Sequence, residues 1–170
     1  MRAFHSAIAG AVRWFVAEVR QGEALRGSVG MGMRFWVGVT DNGWFNYLST
    51  ADVDEVNFWQ PSGKAPFTTL EPGALFLFKL KRPFNHIAGG GVFVKFSVLP
   101  LSIAWDTFGN KNGAVSFSEF GSMIRRLSPN PAERNPEIGC TVFADRIFWR
   151  EWAWFANPPG WAGSSTRGGD

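Results

Sequence analysis

The chain has 170 residues, 45% of them hydrophobic and 18% charged, which is enough for one domain with a sizeable core and excludes disorder throughout. Lys and Arg number 17 against 14 Asp and Glu, and a formal net charge of +3 excludes a nucleic-acid binder held by bulk charge. Because Cys140 is the only cysteine, a disulfide framework and a cysteine-based zinc site within the chain are also excluded.

The first element predicted is an amphipathic helix over residues 3–21, where apolar side chains recur at helical spacing. Glycines follow it, and Met33 stands directly before the first strand pattern. We therefore expect residues 1–32 to be an N-terminal extension, upstream of the true start and without a role in the fold. Residues 33–161 are expected to form the domain, and residues 162–170 a flexible tail.

Short strands alternate with short helices through the rest of the chain. The pattern predicts a bend from Pro83 to Gly91, and a helix that is capped by Asp41 and continues through Leu48. Strands are predicted over residues 34–40, 54–60, 74–80, 92–98 and 138–149. Further helices are predicted over residues 102–108 and 116–127, the latter with Ser116 as its N-cap. About six strands with two or three helices predict an α+β domain, a small twisted β-barrel with the helices packed outside.

Residues for metal-ion or nucleophilic chemistry are scarce. The only histidines are His5 and His86, and no carboxylate cluster or HExxH motif accompanies them, so we predict no metal and no cofactor. Cys140 suits a small core residue, and a Cys140–His86 pair is the alternative. Gly89–Gly91 lack the Lys-Ser/Thr of a phosphate loop and indicate a tight turn, a bulge or close approach of a ligand. We do not expect an enzyme.

The apolar runs are also informative about location. None approaches the length of about 20 residues that a membrane helix needs. Arg13 interrupts the modest apolar stretch near the N-terminus, which is atypical of a secretory signal. We predict a cytoplasmic protein.

One polar and aromatic segment, residues 57–62, suggests a binding role. Its Asn57 and Gln60 carry amides that both donate and accept hydrogen bonds, as reading the edge of a nucleobase requires, and Trp59 offers a face for stacking. The same residues could instead fix the turn, with Trp59 in the core. The spacing leaves both interpretations open.

Five blocks in this order resemble the N-terminal domain of a family of bacterial HNH endonucleases, best known from actinobacteria. The blocks are FWVGVTDNGWFNYL (35–48), VNFWQPSG (56–63), LEPGALFLFKL (70–80), IAGGGVFVKFSVLPLSIAWDTFGNKNG (87–113) and IGCTVF (138–143). The resemblance covers about residues 33–161. It implies a barrel of the PUA/EVE/ASCH type, a fold used to read modified nucleobases, with the nuclease domain downstream. No His-Asn-His constellation occurs in this chain.

The resemblance implies recognition of modified duplex DNA by extrusion of a base into an aromatic pocket. For stacking we select Trp36, Trp44 and Trp59. For hydrogen bonds to the base edge we select Asn57, Gln60 and Ser62, with Asp41 or Asn42 as second choices. These assignments follow from side-chain chemistry, because no ligand residue of the family is carried over.

Phosphate contacts are expected from Lys79, Lys81, Arg82 and Lys95, which flank the bend between two strands. The alternative for these four residues is a solvated strand end. Two alternatives to a DNA reader stay open: a PUA-like module that binds RNA, and a non-catalytic domain that only positions a nuclease. A separate or downstream HNH nuclease is the expected protein partner.

Overall fold

The computed structural model describes residues 35–63, 70–156 and 167–169. The predicted helix over residues 3–21 and the whole extension 1–32 lie outside them. Within the described ranges the chain is an α+β domain with one twisted, open sheet of seven strands, and three α-helices. Their bounds are β1 Phe35–Thr40, α1 Asn42–Thr50, β2 Glu55–Gln60, β3 Leu75–Leu80, β4 His86–Pro100, α2 Leu101–Phe108, α3 Phe117–Leu127, β5 Glu137–Phe148, β6 Phe155–Ala156 and β7 Arg167–Gly169.

The strands follow the order β2-β5-β4-β3-β1-β7 across the sheet, and β6 pairs with β4. The β1–β3 pair is parallel, and the other pairs are antiparallel. Strand β7 falls in the segment that the sequence assigned to a tail. The expected α+β class and barrel-like twist are confirmed.

The sheet curls so that β1 and β2 face each other across an aromatic core, although no hydrogen bonds join them. The ring of Phe58 on β2 lies near those of Phe76 and Phe78 on β3, at centroid distances of 5.4 and 6.3 Å. Gly38 on β1 is needed for this approach, since a Cβ there would lie 3.2 Å from the Phe58 ring and would overlap Phe76. The two facing strands end side by side at one mouth of the barrel.

Both faces of β3 are buried. Phe76, Phe78 and Leu80 point into the aromatic core, because successive side chains alternate along a strand. Leu77 lies on the other face in a smaller cluster with Val37, Ile87 and Phe155. The run that the sequence marked as a strand is therefore a central strand of the sheet.

The predicted bend from Pro83 to Gly91 is wrong in its second half. The chain turns before His86, and Gly89–Gly91 lie inside β4, where the register shifts between Gly90 and Val92. A Cβ on Gly90 would lie 2.6 Å from the carbonyl oxygen of Phe76, so glycine allows close packing of the strands. The bulge is confirmed, and the tight turn at these glycines is not.

Two helix starts follow their predicted caps. Asp41 Oδ1 accepts hydrogen bonds from the backbone N–H groups of Gly43 (2.9 Å) and Trp44 (3.4 Å) at the start of α1. Ser116 Oγ accepts from the Glu119 N–H at 3.3 Å at the start of α3. The α1 cap places one carboxylate at the mouth of the barrel, where the candidate site lies.

Candidate functional site

A cleft of about 290 Å³ opens at the mouth of the barrel, between the carboxyl ends of β1 and β2. The start of α1, the residue after β3 and the last residue of α3 complete its wall. Its lining consists of Val39, Thr40, Asp41, Trp44, Phe58, Trp59, Gln60, Pro61, Lys81 and Leu127. Four of these residues, Asp41, Trp44, Trp59 and Gln60, belong to the set that the sequence selected for base binding.

Two polar atoms of the cleft residues lack a hydrogen-bond partner among the residues that the structure describes. They are Thr40 Oγ1 and Gln60 Oε1, and both atoms are buried. Buried polar atoms in folded proteins are nearly always bonded, so an unpaired one indicates a place for a water or a ligand. Both atoms belong to residues that line the cleft, and the described part of the fold leaves them without a partner.

The two tryptophans of the cleft are fixed from behind. Trp44 is 2% exposed and donates its indole N–H to the carbonyl of Asn57 at 3.1 Å. Trp59 is 9% exposed and donates to the carbonyl of Asn112 at 2.9 Å. Both rings therefore form a rigid wall, and neither projects into solvent as a free stacking platform.

Charge is concentrated at the rim, on side chains from three elements. Asp41 Oδ2 lies 3.3 Å from Lys81 Nζ and 3.6 Å from a guanidinium nitrogen of Arg126. Burial by itself raises the pKa of Asp41, but the Lys81 ammonium and the two capping N–H groups outweigh it and hold the pKa below its ordinary value. The carboxylate is therefore ionised at neutral pH.

The structure places the remaining predicted base-binding residues outside the lining of the cleft. Asn57 is fully buried, and its Nδ2 donates to Asn112 Oδ1 at 2.8 Å. Asn42 accepts from the backbone N–H of Lys81 at 2.9 Å, so its amide links α1 to the turn after β3. Ser62 follows Pro61 just beyond the lining residues. Trp36 packs on the core near the start of β1, away from the end that borders the cleft.

The four predicted phosphate-binding cations do not form one cluster. Lys79 is 1% exposed, and burial, followed by the charge of Arg82, lowers its pKa. Lys81 and Arg82 follow the end of β3. Lys95 lies beyond the start of β3, because Val92 pairs with Leu75 there. The prediction relied on proximity along the chain. Alternation of side chains along β3 buries Lys79, and the antiparallel strand β4 places Lys95 beyond the other end of β3.

Five lining residues were not selected from the sequence: Val39, Thr40, Phe58, Pro61 and Leu127. Arg126, whose side chain lies beside Asp41 at the rim, was missed as well. Thr40 precedes the capping Asp41, and its position at a strand end was a usable signal. Arg126 and Leu127 close the predicted helix that became α3, but no local pattern shows that this helix ends beside β1 and β2. Their part in the cleft is a consequence of tertiary packing.

The Cys140–His86 alternative is wrong. Cys140 lies opposite Ser97 near one end of β4, whereas His86 begins that strand. Burial raises the pKa of the Cys140 thiol, and its hydrogen bond with Asn57 only partly opposes this effect, so the group stays protonated. Cys140 is a core residue.

The described residues include no group of three or more His, Cys, Asp or Glu side chains placed to hold a metal ion. Among their helices, none has the length and apolar character to cross a membrane.

No family model matches the sequence, and no curated protein matches it. Three solved structures have a similar backbone. The ASCH protein of Zymomonas mobilis shares 11% identity and a TM-score of 0.45, with 68% of each chain covered. One single-residue variant of it shares 10% identity with a TM-score of 0.45, and the match covers 68% of this chain and 70% of that one. A second variant shares 11% identity with a TM-score of 0.47, and the match covers 69% of this chain and 71% of that one.

Proposed function

We propose that this chain is a DNA-binding module whose cleft receives a single modified base extruded from a duplex. The observation that carries the proposal is the pair of unpaired buried atoms, Thr40 Oγ1 and Gln60 Oε1, in a cleft walled by aromatic rings and bordered by cations. Coupling to an HNH nuclease is part of the proposal and is supported by the sequence resemblance.

The size of the cleft favours a small ligand. Small-molecule sites usually occupy about 300–1,000 Å³, and this cleft, at about 290 Å³, lies at the lower limit of that range. A single base is a flat group of suitable size, whereas a dinucleotide or a large cofactor is not. The nearby rings of Trp44, Phe58 and Trp59 suit the apolar faces of such a ligand.

The polar atoms restrict what the ligand must carry. Gln60 Oε1 can only accept a hydrogen bond, so the ligand has to bring an N–H or O–H donor to it. Thr40 Oγ1 can accept or donate. The amino group of cytosine and the hydroxyl of a hydroxymethyl substituent are both suitable donors, whereas a methyl group is not. Cytosine therefore meets the requirement at Gln60 through its amino group, and a hydroxymethyl substituent adds a second group that can bond to Thr40.

The energetics are compatible with extrusion. Unstacking and unpairing a base cost a few kcal/mol. Contact with these largely covered rings returns less than the roughly 1–3 kcal/mol per base of an open stacking platform, and a good pair of hydrogen bonds to the base edge contributes about 1–3 kcal/mol of discrimination. Because Trp44 and Trp59 are already fixed by hydrogen bonds, little side-chain entropy remains to be lost on binding.

The test is a fluorescence-anisotropy titration of the full chain with one duplex sequence in five forms. The test position carries cytosine, 5-methylcytosine, 5-hydroxymethylcytosine or glucosylated hydroxymethylcytosine, or the backbone carries a phosphorothioate. The titration is repeated at two salt concentrations, because phosphate contacts weaken with salt while base contacts change less. We expect one modified base to be preferred at both concentrations, and this preference to be lost in Gln60→Ala.

A matched RNA duplex tests the alternative of an RNA module, since the 2′-hydroxyl distinguishes the two backbones. Stronger binding to RNA would overturn the assignment to DNA. Equal weak binding to all five DNA forms, abolished by moderate salt, would overturn base recognition and leave a domain that only positions a partner. Ser122→Ala, an exposed site on α3 outside the cleft lining, serves as the control variant.

A further inference from the structure

The rim of the cleft holds an ion cluster that joins three parts of the fold. Asp41 stands between β1 and α1, Lys81 follows β3, and Arg126 lies in the last turn of α3. We propose that Lys81 and Arg126 form a phosphate subsite beside the cleft. Until a phosphate binds, the Asp41 carboxylate pairs with both cations, and the incoming phosphate then draws the cations away from Asp41. This inference rests on the proposed function, because the phosphate would belong to the extruded nucleotide.

The two oxygens of Asp41 have separate tasks. Oδ1 accepts the capping N–H bonds of Gly43 and Trp44, while Oδ2 faces Lys81 and Arg126. The cap holds the carboxylate in place whether or not the cations are bound. Asp41 is therefore a fixed anion, already positioned where a second anion would have to bind.

The two cations can move, in contrast to Asp41. Their side chains are 43% exposed for Lys81 and 65% exposed for Arg126, against 20% for Asp41. Partly exposed ion pairs contribute little free energy, so both cations can be drawn to a phosphate at small cost. A guanidinium can bind a phosphate through two hydrogen bonds, and an ammonium adds a point charge.

A fixed carboxylate beside two mobile cations makes affinity for phosphate alone weak. An incoming phosphate gains Lys81 and Arg126 but lies close to Asp41, so charge attraction and repulsion largely offset each other. A nucleotide whose base also fills the cleft has a second source of binding free energy. Asp41 would thus favour an extruded nucleotide over the regular backbone of a duplex.

The substitution Asp41→Asn separates the two tasks of this residue. Asn is as good an N-cap as Asp, so Asp41→Asn keeps the acceptor for Gly43 and Trp44 and removes only the charge. The charge-neutral variants Lys81→Gln and Arg126→Gln remove the cations one at a time. Arg125→Gln is the matched control, because the Arg125 side chain bonds Ser122 on its own helix.

The experiment follows the backbone N–H signals of Gly43 and Trp44 and the indole N–H signal of Trp59 by NMR, in the isotopically labelled full chain. Three probes are added separately: inorganic phosphate, and 2′-deoxycytidine and deoxycytidine monophosphate that both carry a 5-hydroxymethyl substituent on the base. Sodium chloride at equal ionic strength corrects for screening. The Gly43 and Trp44 signals report on the subsite, and the Trp59 signal reports on the cleft.

We expect inorganic phosphate to shift the Gly43 and Trp44 signals in a saturable way. Asp41→Asn should tighten phosphate binding roughly threefold to tenfold, and Lys81→Gln or Arg126→Gln should weaken it by a similar factor, with Arg125→Gln unchanged. The monophosphate should bind more tightly than deoxycytidine. That difference in affinity should disappear in Lys81→Gln and also in Arg126→Gln.

Phosphate that leaves the Gly43 and Trp44 signals unchanged in both the wild type and Asp41→Asn would overturn the subsite. Equal phosphate affinity in all variants would overturn it as well. Failure of the proposed function has a different result: deoxycytidine and the monophosphate would leave the Trp59 signal unchanged, whatever inorganic phosphate does.

Discussion

Asn57 and Gln60 are two amides three positions apart on β2, and the fold uses them in opposite ways. Asn57 is wholly buried, and its Nδ2 is bonded to Asn112 in a network that also includes the carbonyls of Ala104 and Gly109. Gln60 stands at the end of the strand among the residues that line the cleft, and its buried Oε1 has no hydrogen-bond partner among the described residues. Asn57 Oδ1 lacks such a partner too, but Asn57 lies in the interior, whereas Gln60 borders the cleft.

The difference follows from the alternation of side chains along a strand. Residues 57 and 59 lie on the face of β2 towards the turn at Asn112, where Asn57 and Trp59 both find hydrogen-bond partners. Trp59, next to the end of the strand, also borders the cleft. Residues 58 and 60 point the other way, towards the aromatic interior and its open mouth. The two side chains carry the same functional group, so residue type does not distinguish them. Their positions on opposite faces of β2 determine which one can contact a ligand in the cleft.

The largest effect on stability is expected for Asn112→Ala. The Asn112 side chain accepts from Asn57 at 2.8 Å and donates to the carbonyls of Gly109 at 2.8 Å and Ala104 at 3.2 Å. Its removal leaves a buried amide donor and two carbonyls without these partners, at a cost of about 3 kcal/mol in the free energy of unfolding. Urea denaturation measures this loss.

The control for this prediction is Asn110→Ala on the same turn, because the Asn110 side chain is exposed. We expect it to change the free energy of unfolding by less than about 0.5 kcal/mol. Equal losses for both variants would show that the turn, and not the buried amide network, provides the stability.

Gln60→Ala should show the reverse profile. It removes a buried acceptor that lacks a partner among the described residues, so the free energy of unfolding should change by no more than about 0.5 kcal/mol. Affinity for the preferred modified duplex should fall about tenfold or more, as for the loss of a base-edge contact. A large loss of stability with unchanged affinity would reverse the roles of the two amides.

A smaller effect, on the salt dependence of DNA affinity, is expected when the separated cations Lys81 and Lys95 are replaced one at a time. Lys81→Gln should reduce the slope of log Kd against log salt by about one for a DNA duplex, the amount expected for one lost phosphate contact. Lys95→Gln removes the same charge from an exposed position beyond the other end of β3 and should leave the slope unchanged. Equal changes in slope for the two variants would indicate that Lys81 and Lys95 both contact phosphates, as the sequence predicted.

The smallest effect concerns pH. The folded-state pKa of Asp41 is below the ordinary value of 3.8, so its charge stabilises the fold fully above that value, and this contribution is lost as pH falls through the lowered pKa. Near neutral pH we expect Asp41→Asn to cost about 0.5–1 kcal/mol. In urea denaturation the difference between the two proteins should shrink as the pH is lowered below 3.8; a difference that grows in acid would contradict the assignment.

Much of the fold was predictable from local signals. Asp41 and Ser116 are N-caps as expected, and the strand runs around Phe76 and Phe143 have the apolar character of buried strands. The start of β4 was not predictable in the same way. Three consecutive glycines indicate a turn in isolation, and only the neighbouring strands show that they are needed for close packing.

The candidate site was predictable only in part. Trp44, Trp59 and Gln60 were identified because aromatic rings and amides suit a base, and they do line the cleft. Asn57 has the same chemistry and lies in the interior, since register decided its position. Arg126 was missed because nothing along the chain shows that its guanidinium lies 3.6 Å from the Asp41 carboxylate.

The central claim is that the cleft beside Gln60 receives an extruded base. Fluorescence of 2-aminopurine placed beside the test base in each of the five duplexes measures this directly, because the fluorescence rises when the neighbouring base leaves the stack. We predict a rise with the full chain for one modified duplex and no rise with Gln60→Ala. Binding to every duplex without any rise in fluorescence would contradict the claim.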